Sequence, residues 1–313
     1  MDELEILEGG TADPSGDRGR RLLRAVERGR AVRLAPGRFV AEPGWSASTP
    51  AARHRARLRA VLPTVAERLI ISHASAAAVH ELPWVGEFPS VVTFLDPERQ
   101  TGQRRTGVRK VGAAGRVVSI DRWCGAPVTA LAVTAVDIAL EPDRRSSLIV
   151  LDAVLRRGVR SADLTRELQD RPTPRAVRRA GDLVALAAPE AESPGESATR
   201  LLMHDLGAPT PLLQARFTDA RGTIGIVDFW FPDQGVIVEF DGLVKYRSPA
   251  VRAGRTPEQV VIEEKRREDR LRSVPGVRAV VRFVWADIMP GGAAPAVLAR
   301  MGLLPSVGRA RRG

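Results

Sequence analysis

Two apolar runs, each broken by a single carboxylate, set the tightest limit on how this chain can fold. Ile226-Val227-Asp228-Phe229-Trp230-Phe231 is followed by Pro232 and a turn, then by Val236-Ile237-Val238-Glu239-Phe240-Asp241-Gly242. Apolar runs without polar alternation belong to strands covered on both faces, and the short spacer between them marks a hairpin. A carboxylate in such a strand costs several kcal/mol unless something offsets its desolvation. A divalent metal ion is the candidate partner that the spacing suggests.

Glu239 and Asp241 are two residues apart and face one side of a continuous strand, with Asp228 near the end of the neighbouring one. Carboxylates converging there make a hard oxygen site for Mg²⁺ or Mn²⁺, an ion that can activate water against a phosphodiester. Only three of the 48 basic residues are lysines: Lys110, Lys245 and Lys265. A lysine kept in so arginine-rich a chain points to a need for a compact ammonium rather than a guanidinium fork. Lys245 or Lys265 could then orient the water or stabilise phosphate charge, and Glu196 could add a carboxylate. Plainer readings stand beside these. Asp228 and Glu239 also suit a solvated hairpin end, and Asp241-Gly242 is an ordinary turn dipeptide. Lys265 suits an ion-paired helix face, and Glu196 a helix N-terminal charge.

At 313 residues the chain has length for two domains, and its 44% hydrophobic and 27% charged residues are those of a globular protein. No apolar run approaches the ~20 residues of a membrane span. The start Met1-Asp2-Glu3-Leu4-Glu5 has the wrong sign for a secretory signal, so the expected location is cytoplasmic. Cys124 is the one cysteine, which excludes a disulfide framework and a thiolate metal site; it reads as a small buried hydrophobe. The four histidines are not spaced as ligand pairs. A net charge of +11 points to a polyanion, with DNA the expected partner and no membrane contact.

Residues 1–18, rich in Gly, Asp and Ser, read as a disordered lead-in. Residues 20–28 suit a helix, and 31–40 suit two strands about a Pro36-Gly37 turn. Helices are expected over 50–69 and 75–80, strands over 91–95 and 115–120, then helices over 128–158 and 174–188. The composition shift at 188–195 marks a boundary between domains 19–188 and 193–305, with a basic tail at 306–313. The second half begins at the helix start Ser193-Pro194-Gly195-Glu196. Strands follow near 212–218, 223–231 and 236–240, then a charged helix over 258–273. A strand over 277–285 and a helix over 294–301 end it. The expected class is α/β, with a C-terminal αβββαβ order.

These residues together resemble the PD-(D/E)xK nuclease superfamily, in particular small domains related to very-short-patch-repair endonucleases. The resemblance covers about 193–303. It rests on Glu196, Val227-Asp228, Val238-Glu239-Phe240-Asp241-Gly242, Glu263-Glu264-Lys265-Arg266-Arg267-Glu268-Asp269-Arg270-Leu271 and Val281-Arg282-Phe283. It implies a restriction-endonuclease-like fold and Mg²⁺-dependent DNA hydrolysis, with metal held by Asp228, Glu239 and Asp241. The chain departs from the pattern in having Asp241 where the superfamily's E-x-K has lysine, and in lacking histidine after His204.

Residues from about 20 to 160 are similar to the AbiEi family of antitoxin-like proteins. The carrying segments are Val32-Arg33-Leu34-Ala35-Pro36-Gly37-Arg38-Phe39-Val40, Ile71-Ser72-His73-Ala74-Ser75-Ala76-Ala77 with His80, Pro127-Val128-Thr129, and Ala135-Val136-Asp137-Ile138-Ala139. The resemblance implies a winged-helix-like start linked to phage defence and autoregulation. Here that start is degenerate, with one helix before the wing. Arg30, Arg33 and Arg38 are candidate phosphate contacts, and His73 and His80 read as packed or capping residues. Two functional readings result: an Mg²⁺-dependent DNA endonuclease acting in defence, toxin–antitoxin function or repair, or a non-catalytic DNA-binding regulator on an inactive nuclease fold. Both admit a protein partner or a homodimer.

Overall fold

Helices and strands are interspersed along the described residues, which makes the chain an α/β protein. The structure, a computed structural model, describes residues 3–9, 17–113, 115–242 and 257–305. It divides into two compact units, Met1–Ala187 and Ala188–Gly313.

The first unit opens with β1 (Leu7–Glu8), α1 (Asp17–Glu27), β2 (Ala31–Ala35) and β3 (Arg38–Ala41). These strands form a sheet of order β1-β3-β2, with Leu7 opposite Phe39. Leu7–Glu8 therefore corrects the reading of 1–18 as wholly disordered: a two-residue strand joins the ladder because Phe39 and Val40 beneath it are buried. β2 and β3 meet across Pro36-Gly37, where Gly37 has φ +70°, a backbone conformation suited to glycine. The short helix α2 (Glu42–Ala47) precedes α3 (Pro50–Val61), whose N-cap is Thr49; its hydroxyl accepts from Ala52 N at 3.2 Å. α3 stops at Val61 and gives way to a 3-10 turn over Leu62–Thr64, short of the expected 69.

Next come β4 (Ile70–Ile71), α4 (His73–Val79), β5 (Val92–Asp96), β6 (Gln103–Arg105), β7 (Val108–Gly112), β8 (Ile120–Trp123) and β9 (Ala126–Thr129). They build a mixed sheet of order β6-β7-β5-β4-β9-β8. Leu58 and Val61 of α3 pack on Ile71, Val92, Phe94 and Val128 of this sheet. The strand expected over 115–120 is displaced to β8. β8 and β9 join through Cys124-Gly125, both with positive φ (49° and 79°), a two-residue hairpin loop. Cys124 is consequently exposed, not buried. The 128–158 stretch resolves into the end of β9, α5 (Leu131–Ala139) and α6 (Arg144–Arg156). α7 (Ser161–Gln169) and α8 (Pro174–Leu186) complete the unit.

The second unit follows the expected αβββαβ order. α9 (Pro194–Asp205) begins at the Ser193 cap, whose hydroxyl accepts from Glu196 N at 3.2 Å. A Cβ on Gly195 would overlap the Phe240 ring, so this turn lies directly on the strand layer. β10 (Leu212–Asp219), β11 (Gly222–Phe231) and β12 (Val236–Phe240) run antiparallel in turn; α10 (Pro257–Arg272) then crosses to β13 (Ala279–Phe283), parallel to β12. Trp285, expected in the last strand, instead opens the short helix α11 (Trp285–Ile288), and α12 (Ala294–Arg300) follows. α9, α11 and α12 cover Phe229, Phe231, Val238, Phe240 and Phe283 on one face of the sheet. Leu271 of α10 packs on Ile237, Val280 and Trp230 on the other. No described helix is long and apolar enough to cross a membrane.

Candidate functional site

The carboxylates of interest lie where the central ladder of the second unit ends. β11 pairs with β12 from Phe231↔Val236 to Phe229↔Val238. One step further, Asp228 takes over from the backbone: its Oδ2 accepts from Phe240 N at 2.7 Å. The carboxylate thus satisfies a strand donor that would otherwise be orphaned. Strand alternation gives Glu239 the face of Ile237 and Arg282 that of Val280, which is the face covered by α10. Alternation is interrupted at Asp228, since Val227 packs with Ile237 and Phe229 packs on the opposite face. Glu239 and Arg282 are direct partners in the β12–β13 register.

On α10, Glu264, Arg267, Glu268 and Leu271 fall at helical spacing on the sheet side, whereas Lys265 is exposed. Arg267 reaches Glu239 with both terminal nitrogens, Nη2 to Oε1 at 2.7 Å and Nη1 to Oε2 at 3.2 Å, and also donates to Ile226 O at 2.8 Å. Gly225 makes room for it, since a Cβ there would stand 3.0 Å from Arg267 Nε. Arg282 Nε donates to Glu239 Oε2 at 3.2 Å, and its other arm reaches Glu264. Burial disfavours the charge on Arg267, but the hydrogen bonds and charges of Glu239 and Glu264 outweigh it and hold the guanidinium above its usual range. Arg282 is raised for the same balance of causes. The buried charge of Glu239 is therefore met by two arginines in a bidentate and a single contact.

The other sequence-derived site residues are distributed as follows. Glu196 is buried, and its Oε2 accepts from Glu192 N at 2.8 Å and Gln214 Nε2 at 3.1 Å. Asp241 donates its backbone N–H to Phe283 O at 2.8 Å, while its Oδ1 is buried with no hydrogen-bond partner among the described residues. Lys265 is a correction: it lies on the solvent side of α10, because Glu264, Arg267 and Glu268 take the sheet side. Lys245 falls outside the described residues. Arg38, expected on phosphate, is also corrected; it is buried and donates to Ala60 O at 3.0 Å, whereas Arg30 and Arg33 are exposed.

The fit to a divalent ion can be judged on these contacts. Both Glu239 oxygens are taken by arginines, and one Asp228 oxygen is taken by a backbone N–H. Among the described residues no three His, Cys, Asp or Glu side chains are grouped to hold a metal. The carboxylates as arranged do not fit a resident Mg²⁺ or Mn²⁺. What sequence reasoning missed was the partner. Arg282 interrupts an apolar strand just as Glu239 does, and Glu264-Arg267 has the i,i+3 spacing that places both on one helix face.

A second charged centre lies in the first unit, around Asp137 and His73. Asp137 of α5 is buried and accepts from Arg171 Nη1 at 2.6 Å, with His73 Nδ1 at 3.7 Å. Burial pushes the Asp137 carboxyl up to about 8 against the pull of Arg116. His73 has φ 52°, an uncommon conformation for a residue with a side chain, and burial, with Arg109 and Arg116 adding to it, holds its imidazole neutral down to about 3. His80 caps α4 and bonds Thr129 O at 2.7 Å, a packing role.

No family model matches the chain. Two curated relatives, the uncharacterized proteins MT2308 and Rv2248 of Mycobacterium tuberculosis strains CDC 1551 and H37Rv, are each 30% identical over 179 residues. The match takes in 56% of this chain, which spans 59% of the length of those relatives. A solved structure, the RV2827C protein from Mycobacterium tuberculosis, aligns with 66% of this chain and 78% of its own at 16% identity and a TM-score of 0.33, a likeness too slight to carry an argument.

Proposed function

We propose that this chain is a cytoplasmic, non-catalytic DNA-binding regulator of antitoxin type, in which the nuclease-like αβββαβ unit serves as a scaffold. The observation that carries the choice is the closure of Glu239 by Arg267 and Arg282. A carboxylate that has both oxygens in ion pairs has little left to offer a cation. DNA is supported by the net charge of +11 and by exposed Arg18, Arg20, Arg24, Arg28 and Arg30 on and after α1. The test is titration with Mn²⁺ followed by plasmid incubation in Mg²⁺ or Mn²⁺. The expected result is retarded but uncut DNA and no metal site. Nicking that disappears in Asp228→Ala would overturn this reading.

One observation favours hydrolysis as the second reading: the buried Oδ1 of Asp241, two residues beyond Glu239, has no hydrogen-bond partner among the described residues. On that reading Lys245→Arg costs at least ~10²-fold in cleavage, the usual scale for a positioned group. Lys265→Arg, on an exposed helix face, is milder. Equal rates for the two variants would exclude Lys245 from the chemistry.

A further inference from the structure

The hairpin β6–β7 sorts its cations by strand alternation. Gln103 pairs with Lys110, Arg104 with Arg109, and Arg105 with Val108. Opposed residues share a face, so Gln103, Arg105, Val108 and Lys110 lie on one side and Arg104 and Arg109 on the other. Arg109, on the second side, is neutralised by Glu141 at 2.7 Å. Arg105 and Lys110, on the first, have no carboxylate partner among the described residues, and Arg33 of β2 has none either.

All three line one cleft of about 820 Å³, and no acidic side chain joins them in its lining. Its walls are two hairpin turns. One is Pro36 of the β2–β3 turn; the other is Thr106-Gly107, held to β5 by Val92 N donating to Gly107 O at 3.0 Å. Val61, Val65 and Val108 supply apolar surface. Arg33 and Arg105 are exposed and Lys110 is half-buried, so these cations present positive charge beside an apolar wall to an incoming anion. The cleft is several times larger than a phosphate needs and lies in the range of small-molecule sites. The Gln103 amide and Thr106 hydroxyl are engaged by no other described residue and can pair with a polar edge. Lys110, one of three lysines in a chain otherwise given to arginine, can follow a phosphate oxygen as a point charge.

We propose that this cleft binds a nucleoside phosphate, with the phosphate on Arg33, Arg105 and Lys110 and the nucleoside against Pro36, Val61, Val65 and Val108. The nucleotide is either free or an unpaired member of a nucleic-acid strand. The site stands on the cleft alone and does not require the DNA-binding regulator reading.

The experiment compares adenosine 5′-monophosphate, adenosine, inorganic phosphate, a short single-stranded oligonucleotide and a blunt duplex by equilibrium binding to the full chain. Wild type is set against Arg105→Ala/Lys110→Ala and, separately, Arg33→Gln, with thermal unfolding to verify folding. Adenosine monophosphate or the oligonucleotide binds wild type, and the double variant loses at least tenfold while remaining folded. Binding of the monophosphate assigns a free nucleotide; binding of the oligonucleotide alone assigns an unpaired nucleotide. Should the double variant not fold, the same tenfold loss is expected of Arg33→Gln. No binding of either probe, equal binding of inorganic phosphate, or affinity unchanged in the folded variants would overturn the proposal. Duplex affinity reports separately on the regulator reading, because exposed arginines of α1 lie outside the cleft lining.

Discussion

His54, fully buried in α3, shows how one side chain can make stability depend on pH without any ion pair. Thr93 N donates to Ser75 Oγ at 2.8 Å, leaving the Ser75 hydroxyl to donate to His54 Nε2 at 2.8 Å while Nδ1 donates to Pro89 O at 3.0 Å. Pro89 O requires the proton on Nδ1, and in the neutral imidazole Nε2 is then the acceptor of the Ser75 hydroxyl. Burial, with Arg57 adding to it, lowers its pKa from 6.5 to about 4 despite the Pro89 bond. The unfolded chain therefore takes up a proton that the folded one refuses over that window. Stability is full above pH 6.5 and falls as pH drops through about 4. At about 1.4 kcal/mol per unit, His54 accounts for up to roughly 3 kcal/mol of the loss. Urea unfolding of wild type and His54→Asn from pH 7 to pH 4 should show a flatter dependence in the variant; parallel curves would mean that the imidazole is not the titrating group. His73 acts with the same sign and Asp137, with its raised pKa, with the opposite one, so the wild-type-minus-variant difference is the quantity to read. Among residues, Glu239 stood out in the sequence as a buried charge needing a partner. Whether that partner is a metal or an arginine is a matter of long-range contact between β12, β13 and α10, which no local pattern encodes.

Elements with strong local signals were legible. β12 occupies the anticipated 236–240, and the Ser193-Pro194 start of α9 and the Pro36-Gly37 turn form as their residue types dictate. The β6–β7 hairpin was not, because Gln103-Arg104-Arg105 and Val108-Arg109-Lys110 are too polar to show strand alternation. α7 was missed for a similar reason: only Leu164 and Leu168 are buried in it. At this scale the contact of α9 with β12 gives a sharp test. Gly195→Ala inserts a methyl group into the Phe240 ring, and overpacking of this kind costs about 1–3 kcal/mol. Phe240→Leu in the same chain should recover part of that loss, giving a coupling in a double-mutant cycle on unfolding. Additive effects would mean that the turn can shift away from the strand.

Across the whole molecule, the excess of positive charge governs how the surface meets a polyanion. If exposed arginines meet phosphates, duplex affinity falls at least tenfold between about 50 and 200 mM salt, with little dependence on sequence. Replacing Arg20, Arg24 and Arg28 with serine should lower the log–log salt slope by roughly 2 to 3, close to 0.9 per lost contact. A slope unchanged by all three would move the contact surface away from α1. Such measurements have a convenient reporter. The β8–β9 turn leaves the single thiol of the chain, Cys124, standing in solvent on a loop of two residues. A maleimide dye would therefore attach at one known point on a tight turn, so its signal would come from one chemical environment, without any engineered cysteine.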